Sequence, residues 1–383
     1  MSVESMPEPG TTATGITEPG MNGPRRSGKG RRRKARSGRS KALLVTAWTA
    51  AGVVVLGGVG AGYVYFKLNG NLKSVDINQA LGSERPVKVD NGSENVLVLG
   101  SDTRSGSNKK LGGGTDDGSA RSDTAMIIHV YEGHKKASVV SIPRDTLIDR
   151  PKCTDTRGNT YPAASGVMFN SAYSTGGAAC AVKTVESLTG IRMDHYLEVD
   201  FSGFQKLIDD LGGVTVTTTK KIEDSDSHLN LKAGTHTLDG KQALGLVRTR
   251  HGVGDGSDLG RIQLQQAFIK ALVDQVKHVG LLTSPKKLYD LADTATKAVT
   301  ADSDLGSVNS LMDFVDGLKG ISSSHMKMVT MPVRYDPADP NRVVVAKAKA
   351  EQVWTALKND RPIPASATKG TATGQAKGVV TAS

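Results

Sequence analysis

Apolar positions follow three different rhythms along this chain. From Ala42 to Phe66, "ALLVTAWTAAGVVVLGGVGAGYVYF" runs for 25 residues without a charge. About 20 apolar residues cross a hydrocarbon core, so the stretch predicts one transmembrane helix with room for tilt. Short β-rich runs come next: "NVLVLG" (Asn95–Gly100), "TAMIIHVY" (Thr124–Tyr131) and "ASVVSI" (Ala137–Ile142), bounded by Gly, Pro or charge. They are too continuously apolar for a sheet with one wet face and predict central strands covered on both sides. A helical rhythm then marks "CAVKTVESLTG", "FSGFQKLIDDLGG", "RIQLQQAFIKALVDQV", "PKKLYDLADTAT" and "LGSVNSLMDFVDGL". "HMKMVTMPV" and "RVVVAKAKAEQVWTAL" predict a late strand and a closing helix. With an extended "VTVTTT" after Gly212 and Gly213, the pattern predicts an α/β fold. The expected form is an α/β/α sandwich around a central mixed sheet, behind one transmembrane helix.

The polar stretches divide the rest. Residues 1–41 are Gly, Ser, Pro, Thr and Arg with few large apolar side chains, hence a disordered basic tail. Residues 67–93, with Gly70, Gly82, Pro86 and Gly92, read as a juxtamembrane linker, and 361–383 as a second loose tail. The globular domain is expected over 94–360. The net charge of +11 suggests nucleic acid until it is divided. Residues 1–41 hold +7 of it, 42–66 none and 67–383 only +4. The folded part is therefore not strongly cationic, and no nucleic-acid partner is expected. A basic cluster before an apolar span instead predicts a cytoplasmic N-terminus and a domain outside the cell, anchored in the cell membrane. A cleaved signal peptide has a shorter apolar core and leader. Both cysteines, Cys153 and Cys180, follow the span, so the oxidising compartment favours a disulfide over two separate buried thiols. Far apart and without paired His or Cys beside them, they make no structural zinc site.

Candidate chemistry gathers where strands end. "VLGSDTR" puts Asp102 and Arg104 beyond the first strand, and "ARSDTAM" puts Arg121 and Asp123 before the second. "SIPRDTL" puts Arg144 and Asp145 after the third, with Pro143 fixing the stop. A fourth cluster, "RTRHGVGDGSDLGR", spans Arg248 to Arg261. Read as extended, its start aims Arg248 and Arg250 to one side. Arg261 and Gln265 share a helical face near a helix N-terminus, whose free N–H groups favour anions. The glycines Gly252, Gly254, Gly256 and Gly260 would let the two sets converge. Guanidinium forks bind phosphate oxygens in pairs, and hard cations take carboxylate with phosphate oxygens, so the set suits a diphosphate with Mg²⁺ or Mn²⁺. Other templates fit poorly: there is no G-x-x-x-x-G-K-[ST], H-E-x-x-H or G-x-S-x-G. "AYSTG" only approaches the last, and "GVGDG" follows no clear strand.

In order, "NVLVLGSDTR", "RSDTAMI", "VVSIPRDTL", "FNSAYSTGG", "DHYLEVDFSGFQKLIDDLGGVTV", "AGTHTLDGKQALGLVRTR" and "SDLGRIQLQQ" resemble the LytR-CpsA-Psr family of membrane-anchored bacterial envelope proteins. The resemblance implies transfer of a glycopolymer from an undecaprenyl-pyrophosphate carrier onto peptidoglycan, often to the 6-hydroxyl of N-acetylmuramic acid, releasing undecaprenyl phosphate. It implies that Asp102 and Asp123 hold the metal, that Arg121, Arg144, Arg248, Arg250 and Arg261 grip the pyrophosphate, and that Gln265 stands beside it. Asp258 matches an aspartate of the same site that either orients an arginine or acts as base. The insert "SGSNKKLGGGTDDGSA" is long and glycine-rich for the pattern, which would let Asp116 or Asp117 intrude on the metal pair. Two other classes of function stand beside the transferase: a non-catalytic binder or pyrophosphatase of the same carrier, and a transcriptional attenuator. The latter would need a basic nucleic-acid face that this charge distribution does not supply.

Overall fold

Two sheets organise the molecule. Their strands in chain order are β1 (Lys73–Val75), β2 (Glu94–Asp102), β3 (Arg121–Val130), β4 (Ala137–Ile142), β5 (His195–Asp200), β6 (Val214–Thr218), β7 (Gly234–Leu238), β8 (Val299–Asp302), β9 (Met326–Thr330) and β10 (Val380–Ala382). The large sheet has the order β1-β8-β5-β2-β3-β4-β9, and the small one β7-β6-β10. Three pairs are parallel (β2 with β5, β4 with β9, β1 with β8) and three antiparallel (β8 with β5, β2 with β3, β3 with β4), so the sheet is mixed. The computed structural model describes residues 59–102, 121–250, 257–278, 284–375 and 380–382. Helix α1 covers 59–71, followed by α2 (Asn78–Leu81), α3 (Asn170–Thr189), α4 (Phe201–Asp210), α5 (Gly240–Arg248), α6 (Asp258–His278), α7 (Pro285–Ala298), α8 (Val308–Leu318) and α9 (Lys347–Lys358).

The apolar runs fill both faces of the large sheet unequally. Register places Leu97, Ile127, Val140 and Tyr196 on one face, where they are buried together with Leu99, Ala125 and Ile142. Helices α2, α3 and α9 cover that face through Leu81, Val182, Val185, Val353 and Trp354. Burying each such side chain contributes about 1.5–3 kcal/mol, so this layer dominates the stability of the sheet. The small sheet builds a second core with α5 and α6 around Val214, Val216, Leu246, Leu264 and Phe268. Helix α4 starts directly from β5, because Asp200 accepts the Gly203 N–H (2.8 Å), an N-cap that satisfies an otherwise free donor.

Three expectations change. The 67–93 linker is built into the fold: β1 pairs with β8, Ile77 and Leu81 are buried, and Arg85 makes a buried ion pair with Glu186 (2.6 Å). Its polar composition hides a few well-spaced apolar anchors. The 361–383 tail is likewise partly ordered, since Ile363 and Ala367 are buried and β10 pairs with β6. An unpaired sheet edge accepts small β-compatible residues such as "VTA". Finally, "RVVVAKAKAEQVWTAL" divides into a strand, Val343–Val345, and α9, because three consecutive valines favour extended backbone. Of the apolar run 42–66, residues 42–58 lie outside the described residues and the remainder belongs to α1. Among the described residues, no helix is long and apolar enough to cross a membrane.

Cys153 and Cys180 are joined by a disulfide with Cα atoms 5.3 Å apart, tying a short hairpin to α3. That helix kinks at Gly176 and Gly177, where a Cβ on Gly176 would overlap Cys180 Sγ. The small residue is therefore a packing requirement of the bridge.

Candidate active site

Strand ends and a helix start meet at one edge of the large sheet. β2 and β4 end there and β3 begins there, with Asp102 opposite Arg121 and Ala125 opposite Ile142. The ladder slips between the Gly100–Thr124 and Ser101–Ser122 pairs, so Asp123 has no cross-strand partner. Such a bulge re-aims a side chain away from its strand's alternation. Asp123 Oδ1 accepts from Arg144 Nη1. Arg144 itself follows Pro143, whose carbonyl accepts the Thr146 N–H (3.1 Å) in a tight turn that carries Arg144 and Asp145 at the edge.

Helix α6 begins at the same place. Asp258 lies in its first turn, where negative charge complements the free N–H groups. Its Oδ2 accepts the Arg144 backbone N–H (3.1 Å), and its Oδ1 pairs with Arg261 Nη2 one turn on. Arg261, only 3% exposed, also donates to the Asp123 carbonyl (3.0 Å). Arg144 Nε stands 3.7 Å from Asp145 Oδ2 and 3.9 Å from Asp258 Oδ1, too far for hydrogen bonds. Arg144 Nε and Arg261 Nε are buried without an acceptor, although both guanidinium groups are ion-paired. Buried charged donors left this way are costly, and a phosphate oxygen is the acceptor their fork geometry fits. Burial raises the Asp145 carboxyl above its usual range, helped by the Asp258 charge and opposed by Arg144, Arg261 and Arg342.

Gln265 ties this cluster to the next element. Its Nε2 donates to Thr124 Oγ1 on β3 and to the Val247 carbonyl near the end of α5, both at 2.9 Å. Arg248 is the last residue of α5 rather than part of an extended arm, because an Asp239–Gln242 capping box launches that helix and it runs on for nine residues. Its guanidinium lies 5.0 Å from the centre of the Phe201 ring, at the start of α4. The Arg250 N–H donates to Asp224 Oδ2 (2.8 Å), a carboxylate only 3% exposed. The structure thus brings together Asp123, Arg144, Asp145, Asp258, Arg261 and Gln265, with Arg248 and Arg250 anchored through α5. The side chains of Asp102 and Arg121, the insert 103–120 and residues 251–256 lie outside the described residues. Among the described residues, no group of three or more His, Cys, Asp or Glu is arranged for a metal ion.

Sequence reasoning missed several participants. Thr124 and Asp224 carry no signal beyond being polar. Glu198 does: it stands at an inward position of "HYLEVD" and accepts from both Tyr173 (2.7 Å) and Tyr196 (2.5 Å) beneath the same edge. Beside the cluster, the second face of the sheet is incompletely closed. Val98, Ile128, Leu197, Val199 and Met328 share that face and are only partly buried, beside the buried Val96, Met126 and Val139 of the same face. Phe314 of α8 reaches this region, edge-on to His195 at 5.5 Å. Partly exposed apolar side chains therefore begin at Val199, next to Thr124 and the arginines.

Comparison with known proteins places the fold in a family. The LytR_cpsA_psr family model matches residues 64–359. The chain is 32% identical over 319 residues to the polyisoprenyl-teichoic acid–peptidoglycan teichoic acid transferase TagT of Bacillus subtilis, a match covering 80% of this chain and 90% of that protein. It is also 32% identical over 308 residues to the cell wall biosynthesis protein LcpA of Corynebacterium glutamicum. That match covers 73% of this chain but only 58% of LcpA, so the chain spans less than two thirds of that relative's length. Among solved structures, the family protein YwtF (TagT) with bound octaprenyl pyrophosphate lipid shares the fold. The TM-score is 0.50 at 23% identity, covering 75% of this chain and 98% of that one.

Proposed function

This chain belongs to the LytR-CpsA-Psr family, and from that premise we propose that it transfers a glycopolymer from a polyprenyl-diphosphate carrier onto peptidoglycan. The observation that carries this reading is the meeting, at one sheet edge, of the buried Nε donors of Arg144 and Arg261 with partly exposed apolar side chains of the second sheet face. A diphosphate with an isoprenoid tail has those two chemistries in that order. TagT, which is named as a transferase and has been solved with a polyprenyl pyrophosphate lipid, supports it.

In this proposal the diphosphate lies against Arg144, Arg261 and Arg248, flanked by Arg121 and Arg250, and the tail runs along Val98, Leu197 and Val199. The acceptor, a muramic acid 6-hydroxyl, attacks the polymer-side phosphorus in line with the leaving group. A phosphodiester forms, the diphosphate bridge breaks and lipid phosphate departs. Phosphoryl transfer of this kind depends on positioning and on neutralising the non-bridging oxygens, and the guanidinium groups supply both. Asp102 and Asp123, hard oxygen donors on adjacent strand ends, fit Mg²⁺ (or Mn²⁺), which when bound would neutralise further phosphate charge. Asp258, with both oxygens engaged by Arg144 and Arg261, orients those arginines. The apolar run 42–66 anchors the chain, with the N-terminus in the cytoplasm and the domain outside.

The test is reconstitution of the full chain in vesicles with a lipid-diphosphate-linked polymer, peptidoglycan and Mg²⁺. Polymer should become covalently attached to peptidoglycan. Arg144→Ala should lower the rate by about 10²–10³, the range for removing one oxyanion donor. Release of free phosphorylated polymer would identify a pyrophosphatase, and binding without turnover would identify a carrier.

A further inference from the structure

A hydroxyl that attacks phosphorus must lose its proton, and the cluster holds three described carboxylates at the edge. Two are already committed. Asp123 Oδ1 accepts from Arg144 Nη1, and Asp258 pairs with Arg261 through one oxygen while accepting the Arg144 N–H through the other. A proton placed on either would break an ion pair that holds an arginine in place. Asp145 differs. Among the described residues its nearest cation, Arg144 Nε, is 3.7 Å away, beyond hydrogen-bond reach, and its side chain is as exposed (21%) as that of Asp123 (19%), so it is open to a substrate group.

We propose that Asp145 is the general base that receives the acceptor hydroxyl's proton. This assignment rests on the transferase reading above. As the acceptor oxygen forms its bond to the polymer-side phosphorus, its proton passes to an Asp145 carboxylate oxygen. The electron pair of the broken diphosphate bond leaves with the lipid phosphate, and the Asp145 proton is later lost to water. Position supports the role, because Asp145 directly follows Arg144 and its backbone is pinned by the Val343 N–H (3.4 Å). The charged groups that face it are Arg144 in its own turn, Asp258 and Arg261 from α6, and Arg342 before the Val343–Val345 strand. Burial and the Asp258 charge outweigh those arginines and make the carboxylate more basic than a free one, which suits proton acceptance.

The experiment compares the full chain with Asp145→Asn and Asp145→Glu in two assays: transfer rate against pH, and binding of farnesyl diphosphate by calorimetry. A general base contributes about 10²–10⁴ in rate, so Asp145→Asn should lose that factor. Its farnesyl diphosphate affinity should stay within about threefold, a change of roughly 0.7 kcal/mol. The native rate should fall on the acid side with a midpoint above the ordinary carboxylate value, and the residual Asn activity should lack that limb. Asp145→Glu should recover part of the rate together with the limb. Transfer by Asp145→Asn within about threefold of native, or equal loss of rate and diphosphate affinity, would overturn the assignment. A native chain that binds no farnesyl diphosphate would sink the transferase reading itself, and that result appears in the binding assay alone.

Discussion

Arg261 illustrates how residue chemistry sets stability and function together. Its guanidinium is nearly inaccessible and balances Asp258, so Arg261→Ala leaves a buried carboxylate with a weakened partner. Breaking a buried pair costs about 3–5 kcal/mol, which urea unfolding should register. Arg261→Lys keeps the charge but loses the fork, so stability should recover further than transfer activity does. Far from the site, Asp155 is held down to about 2, chiefly by the Asn159 side chain, with the Asn159 and Arg157 N–H groups and the Tyr161 hydroxyl assisting. Because the folded value lies below the ordinary 3.8, its stabilisation is complete above that pH and disappears as pH falls through about 2. Asp155→Asn should therefore show a smaller decline in melting temperature than the native chain on acidification from pH ~5 to ~2. Arg144, Asp258, Arg261 and Gln265 were legible in the sequence because charge and amide at the ends of apolar runs demand a reason. Tyr173 and Glu198 were not, since they lie 25 positions apart and only the folded chain makes them partners.

At the scale of elements, the site depends on how α5 and α6 are joined to the sheet. Gln265→Leu removes both bridges from α6, leaving the Val247 carbonyl without that donor. It should cost about 1–3 kcal/mol by chemical denaturation and weaken diphosphate binding through the displaced Arg248. Close helix packing fixes the start of α5 against α4. A Cβ on Gly240 would overlap the Gln205 carbonyl of α4, so this glycine is a close helix contact. The bulge at Asp123 was hidden, because a slip in register depends on the partner strand and leaves no mark on "ARSDTAM" itself. The kink in α3 offers a separate test. Gly176→Ala forces a methyl group against the disulfide and should destabilise the chain by about 1–3 kcal/mol, the usual cost of overpacking, as read by its melting temperature.

For the whole molecule, the decisive feature is the difference between the two sheet faces. The continuous apolar runs announced a doubly covered sheet, yet nothing in "NVLVLG" separates a residue sealed in the core from one left partly exposed. Leu97 and Val98 look alike in sequence and differ only in the helices packed over them. A second face that receives the isoprenoid tail predicts that Val199→Glu weakens farnesyl diphosphate binding by tenfold or more, about 1.4 kcal/mol, while inorganic pyrophosphate affinity is unchanged. Calorimetry with the two ligands separates tail from head. Arginines and apolar face must meet on one ligand, and the most direct measurement is a crystal structure of the chain with octaprenyl diphosphate. The expected result is a diphosphate within hydrogen-bond reach of Arg144 and Arg261, its tail running past Val199 and Val98. A diphosphate bound away from those arginines, or a tail lying outside that sheet face, would contradict it.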